Sequence, residues 1–365
     1  MRFLFLIFLI FSFIPTTGQA ESRESIYQVE GVEIFVPNPK PGGRDPRQTG
    51  ITWAGEKAFD LLMTRMLPRD QREVLAETLK SLGQDTRKYV KRAVVRSEKQ
   101  RPGGLLFSVD ITFSRKAVGE ALRGIGLSYN ETAHPFSLLL AQMDRTGRPG
   151  FFPQGDPFQK ALLRSARTFG VSLGKPLGDM EDMVALGGND AALNQWAKTR
   201  YGAKRIFIGQ MAFGRVGAGE QEGTEHYAAL GTLTVKDTGQ RFESRAEGSY
   251  AESKGARWAL FEKVANELLQ GILDRWAQVN AVDPGQQHAV LLRVVHGAKL
   301  TGYAKFFKRL KLVSGVSGVR ASRFKAREAV LEVDYQGPDD QFMAALMRAG
   351  YQVSEAFPEI VIHLP

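Results

Sequence analysis

None of the 365 residues is cysteine. That absence limits what the chain can fold into more than any motif it contains. No disulfide can staple a loop-rich scaffold, no thiolate can hold a structural metal, and no thiol can act as a nucleophile. The lipidated cysteine of a bacterial lipoprotein is excluded as well. Stability has to come from packed apolar cores, and the length suffices for two or three domains that each have one.

The first twenty residues, MRFLFLIFLIFSFIPTTGQA, read as a secretory leader. Arg2 gives the positive start, residues 3–14 are apolar except Ser12, and Pro15 breaks the run. Gly18 and Ala20 are the small residues a signal peptidase reads. The mature chain is expected to begin after Ala20 and to be periplasmic. No later segment approaches the ~18 consecutive apolar residues of a membrane span, so no transmembrane segment is expected. The formal charge is +10, falling by one when Arg2 leaves with the leader. In the cytoplasm such an excess would suggest nucleic acid. Outside it the available polyanions are lipid headgroups, lipopolysaccharide and wall polymers. The expected partners are therefore envelope proteins, anionic lipid or wall polymer, and not nucleic acid.

Hydrophobic periodicity gives the organisation. The Pro- and Gly-rich segment 37–50 reads as a loop between a strand at 31–36 and a helix beginning near Thr52. That helix carries Ala54, Ala58, Leu61, Leu62 and Met66 on one face and stops at Pro68. Asp70 and Glu73 resemble a capping box that opens a second helix running to Gly83. Strands at 88–96 and 105–112 follow, then a helix from Ser114 to Gly124 or Gly126. The next region holds a buried strand at 136–142, helices through Phe158–Phe169 and 190–199, and strands at 205–211, 227–235 and 241–250. A long helix, 256–278, closes it with the stripe Phe261, Val264, Ala265, Leu268, Ile272 and Trp276. Residues 281–285, AVDPG, read as a linker. Beyond them the order is strand, helix, strand, strand, helix, strand. The expected fold class is α/β (α+β): two mixed α/β layer domains, 27–128 and 135–280, then a small ferredoxin-like βαββαβ module at 286–365.

Several stretches invite a chemical reading. IFIGQMAFGRVGAGEQEG, residues 206–223, resembles a strand entering a phosphate-binding loop. It lacks the lysine of a Walker loop, and strand-like residues rather than a helix follow, so a hairpin loop with no nucleotide is expected. GVSLG at 170–174 matches Gly-x-Ser-x-Gly around Ser172, but it follows a helix where a nucleophile elbow follows a strand. The histidines at 134, 226, 288, 296 and 363 show no short metal-pair spacing and read as surface or strand-end imidazoles. The acids Asp179, Glu181 and Asp182 form the densest chemical cluster. Paired carboxylates can bind a divalent cation or divide acid and base roles, as in a metal-assisted hydrolase. The same residues also suit a helix N-terminus, where acids complement the dipole.

Two basic concentrations remain. Arg87, Lys88, Lys91, Arg92, Arg96, Lys99 and Arg101 lie on one hairpin, and Lys305, Lys308, Arg309 and Lys311 lie on or beside the helix of the C-terminal module. Such runs are either solvated faces or anion-binding and partner-binding patches.

AGEKAFDLLMTRML (54–67), FSVDITFSRKAVGEALRGIGL (107–127) and GKPLGDMED (174–182) together resemble an uncharacterised exported bacterial family, the domain of unknown function 2066. The resemblance covers residues 27–278 and departs from the family pattern where His134-Pro135 stands in place of an Arg-Pro pair. AKTRYGAKRIFIGQMA (197–212) resembles the start of domains related to the TolB amino-terminal unit. Residues 316–346 are similar in layout to small modules of flagellar and secretion assemblies. These resemblances imply a non-enzymatic accessory protein of the cell envelope, without cofactor, that acts by docking partners.

Overall fold

The computed structural model describes residues 26–38, 45–143, 148–219, 221–282, 287–296, 300–325, 327–337, 339–356 and 359–364. The leader and most of the expected linker lie outside them. The fold is α/β, with helices laid on three sheets.

The first sheet is antiparallel, in the order β1-β3-β2, from β1 (Gln28–Pro37), β2 (Val90–Arg101) and β3 (Gly104–Phe113). Helix α1 (Pro46–Met66) starts where Asp45 accepts a hydrogen bond from the Arg47 amide at 3.0 Å, with proline at its first position. Ala54, Ala58, Leu62 and Met66 are buried, as their spacing predicts. The expected helix over 70–83 is broken at Leu75 into α2 (Arg69–Val74) and α3 (Ala76–Gln84). The first piece buries nothing, whereas the second turns Leu79 and Gly83 inward, so the break separates a solvated turn from a packed one. Helix α4 (Arg115–Gly124) is capped by Ser114, and the short strand β4 (Tyr129–Asn130) follows.

The second sheet runs β10-β9-β8-β5-β6. It is built from β5 (Ser137–Gln142), β6 (Pro149–Gly150), β8 (Arg205–Ala218), β9 (Glu225–Val235) and β10 (Arg241–Tyr250), and β7 (Leu173–Gly174) pairs beside β5. Because β5 and β8 are parallel, the chain must cross over between them. It does so through α5 (Pro157–Phe169), α6 (Met180–Leu186) and α7 (Asp190–Tyr201). Helix α8 (Ser253–Asn280) lies on the other elements with its whole predicted stripe buried. Its approach to β9 requires Gly231, where a Cβ would stand 2.4 Å from Val264 Cγ1. The glycine-rich stretch differs from expectation: β8 continues through Gly214 and Gly217 to Ala218, paired with β9 as far as Glu225. Only the turn itself needs a left-handed glycine, Gly223 at φ 80°.

The first two sheets are packed as neighbours. After α8, β11 (Ala281–Val282) pairs with β4, and Trp276 Nε1 donates to Thr132 O at 2.7 Å. Arg72 and Asp274 form an ion pair at 3.1 Å, and Leu61 packs against both cores. The buried Arg65 donates to Phe169 O, Gln28 O and Ile26 O at 2.8, 2.6 and 3.3 Å. Residues between the two expected domains, Asn130, Glu131 and His134, are buried rather than extended in solvent.

The C-terminal module has β12 (Gln287–Val295), α9 (Leu300–Leu310), β13 (Val316–Phe324), β14 (Glu328–Gln336), α10 (Asp339–Arg348), β15 (Gln352–Ala356) and β16 (Glu359–His363). Its sheet order is β13-β14-β12-β16-β15. The expected βαββαβ order is present with one strand added. Strand β15 turns back as a hairpin so that β16 slots beside β12, parallel to it. The added strand, QVSEA, has a single large apolar residue and no alternating pattern to announce it.

Candidate docking site

Asp179, Glu181 and Asp182 do come together, and what they meet is Arg200. Asp179 is the N-cap of α6 and accepts from the Asp182 amide at 3.2 Å. Arg200 Nη1 lies 2.8 Å from Glu181 and 3.1 Å from Asp182, and its Nη2 pairs with Asp179. The Arg200 hydrogen bond, helped by the Asp182 amide, holds the Asp179 carboxyl below its ordinary range. Asp182 is fully buried. Its carboxylate accepts from the Gly178 amide at 2.7 Å, Trp196 Nε1 at 3.2 Å and the Tyr201 hydroxyl at 2.8 Å. Burial, with the nearby Asp182 carboxylate, raises the Tyr201 phenol. The cluster therefore has a guanidinium at its centre and braces α6 against α7. Among the described residues, no histidine takes part in these contacts.

The braced helix turns an apolar face outward. Leu177, Met180, Met183 and Val184 are 76%, 71%, 51% and 71% exposed. Met180, Met183 and Val184 stand at i, i+3 and i+4 and so share one side of the helix; Leu177 lies in the segment leading into it. An ordinary surface helix buries that stripe and exposes its acids; α6 buries Asp182 instead. Sequence reasoning missed this face although the spacing was legible, because such a stripe is normally read as core.

Tyr201 also lines a cleft of about 1010 Å³ between the first two sheets. Arg65, His134 and Trp276 form part of its lining. Burial lowers the Arg65 guanidinium to about 10, so it remains charged at neutral pH. His134 Nδ1 donates to Pro135 O at 2.9 Å, and its ring packs 5.2 Å from Trp276 and 6.0 Å from Phe207. Burial, with nearby Arg205, pushes His134 down to about 4, so the imidazole is neutral. His134 and His296, read from sequence as surface or strand-end rings, are both 3% exposed. Aromatic neighbours account for this, since His296 is held between Tyr303 and Phe324. The side chain of His288 lies outside the described residues. Gly170 is the left-handed cap of α5 at φ 70°, which places Ser172 after a helix end and not on an elbow.

The basic residues form separate surfaces. Lys91, Arg92, Arg96, Lys99 and Arg101 are exposed along β2, an edge of the first sheet. Lysine and arginine there discourage strand-to-strand aggregation. Lys88 pairs with Asp85 at 2.7 Å, and Arg96 pairs with Asp110. Lys305, Lys308 and Arg309 are exposed on α9, and Lys311 Nζ sits 4.6 Å above the Phe307 ring.

No family model matches the chain, and no curated protein does. Among solved structures, dodecameric PelC from Paraburkholderia phytofirmans matches at 10% identity over 48% of this chain and 98% of that one, with a TM-score of 0.22. A single-substitution variant of the same dodecamer matches at 12% identity over 37% and 89%, also with a TM-score of 0.22. Scores this low carry no argument about fold or function, and the resemblances read from short motifs rest on those motifs alone.

Proposed function

We propose that this is a periplasmic, non-catalytic accessory protein of the cell envelope that works by docking a protein partner through the outward face of α6. The single observation behind this reading is the exposure of Met180, Met183 and Val184 on α6, a helix tied to α7 through the buried Asp182 carboxylate, with Leu177 exposed just before it. Apolar side chains grouped on a surface lose free energy when a partner covers them, at about 25 cal/mol per Å² removed from water. A prefixed helix adds no ordering cost at the moment of binding. The basic edge at Lys88, Lys91, Arg92 and Arg96, and the α9 face at Lys305, Lys308, Arg309 and Lys311, would supply electrostatic steering toward acidic partners or anionic envelope components.

The test is crosslinking in intact cells followed by purification of the mature chain. The native chain should recover a defined partner, and a Met180→Asp/Val184→Asp variant with unchanged thermal melting should lose it. Recovery of the chain alone from intact envelope, or of the same partner by the variant, would overturn the proposal. Sequencing of the recovered chain should read Glu21-Ser22-Arg23 at its start; an uncleaved leader on cytosolic protein would refute the location.

A further inference from the structure

Strand β10 ends the second sheet. Among the described residues its backbone ladder runs to β9 alone, paired without a bulge from Arg241 to Tyr250. The other edge of such a strand carries a row of N–H and C=O groups that a further strand can pair. Natural edges are commonly guarded by proline, by a bulge or by charges of one sign. Strand β2 is guarded in the last way, with Lys91, Arg92, Arg96, Lys99 and Arg101 exposed. Strand β10 has no proline, and its charges alternate in sign.

The alternation is confined to one face. Phe242, Ala246 and Tyr250 turn to the core under α8, while Arg241, Glu243, Arg245 and Glu247 are exposed on the opposite face. Within the chain they form the pairs Arg241–Glu243, at 3.0 Å, and Arg245–Glu247, and Glu247 also meets His226 at 3.4 Å. The four charges are therefore balanced, and the face offers a pattern of signs rather than a free cation or anion. Exposed pairs of this kind contribute little, so exchanging one partner for another costs little.

Turned end for end, the pattern becomes its own complement. About a two-fold axis at Ser244, an antiparallel second β10 sets Glu247 opposite Arg241 and Arg245 opposite Glu243. The symmetry repeats both, giving four Arg–Glu pairs. A shift of two residues one way opposes Arg245 to Arg245 and Glu243 to Glu247, and the other way Glu243 to Glu243 and Arg241 to Arg245. Like charges directly opposite are destabilising. An odd shift sets the charged face of one strand against the core-facing side of the other. One register therefore stands apart from its neighbours.

We propose that β10 pairs antiparallel with β10 of a second copy of this chain, in the register centred on Ser244, joining the two copies of the second sheet into one. Backbone hydrogen bonds hold such a strand addition, and the side-chain pairs fix its register. The contact is isologous: each pair made by one copy is made again by the other, so assembly closes at the dimer. This surface shares no residue with α6, so dimerisation and docking through α6 stand or fall separately.

Sedimentation velocity of the full mature chain tests it. Glu243→Arg/Glu247→Arg makes the face wholly basic, and Arg241→Glu/Arg245→Glu makes it wholly acidic. All four side chains are exposed, and matched thermal melts check the fold. The native chain should be dimeric, and each variant alone should bind itself at least tenfold more weakly. An equal mixture of the two should recover the native affinity, because every opposed pair is again arginine with glutamate. The lack of cysteine allows an independent reading. Opposed residues of an antiparallel pair have Cα atoms ~4.5–5.5 Å apart, within disulfide reach. Ser244→Cys should therefore crosslink two copies on mild oxidation, and Lys99→Cys on β2 should not. A monomeric native chain, variants that stay dimeric, a mixture that stays monomeric, or equal crosslinking at both cysteines would overturn the proposal.

Discussion

A buried carboxylate is tolerated only when its oxygens are engaged, and Asp182 meets that condition with two side-chain donors, a backbone amide and Arg200. Replacing it with alanine leaves Arg200, Trp196 and Tyr201 without their shared acceptor. Asp182→Ala should lose about 3–5 kcal/mol of stability by urea denaturation, in the range measured for broken buried pairs. A loss within 0.5 kcal/mol would show that the network does not brace α6. His134 gives a second prediction at this scale. Its folded value is about 4 against an ordinary 6.5, so the unfolded chain takes up the proton first as pH falls. The stability it contributes is complete above about 6.5 and is lost as pH falls toward 4, on the order of 3 kcal/mol in all. Urea midpoints for the native chain should drop more steeply between pH 7.5 and 4.5 than those of His134→Phe; parallel slopes would contradict the assignment. The local spacing of side chains shows neither result in advance. The acids at 179–182 were visible as a cluster, but Arg200 lies outside that window, and which cation answers a carboxylate is decided by the fold.

At the scale of elements the sequence was most legible where a helix or strand buries one regular stripe. The α8 stripe, the α1 face and the β13–β14 hairpin follow their apolar spacing closely. It was least legible where an element has no stripe, as in polar β15, or has one that is not buried, as in α6. The extension of β8 through Gly214 and Gly217 belongs to the same class, because pairing with β9 supplies backbone hydrogen bonds that propensity does not foresee. Gly231 is the tightest point between sheet and helix. Gly231→Val should destabilise by more than 1–3 kcal/mol, the usual cost of overpacking, or displace α8. Full retention of the thermal midpoint would contradict the close β9–α8 approach.

Across the whole molecule, the length and the lack of cysteine pointed to several apolar cores, and the structure has separate core clusters on its sheets. The contact between the first two sheets was not legible, since Arg65 reads as one cation on an amphipathic helix. In the fold its guanidinium donates to three carbonyls: Gln28 at the start of β1, Ile26 two residues before it, and Phe169 at the end of α5. Arg65→Leu leaves those carbonyls unpaired and should cost about 3 kcal/mol or more. It should also split one unfolding transition of residues 26–282 into two by hydrogen exchange; a single unchanged transition would mean that the remaining contacts suffice.

The central claim is that α6 presents its apolar face to a partner protein. The most direct measurement places a photo-crosslinking amino acid singly at Met183 and, as a control, at the exposed Lys254 of α8, and irradiates intact cells. The account predicts one discrete adduct of fixed mass from position 183 and none of that mass from 254. No adduct at 183, or the same adducts at both positions, would contradict it.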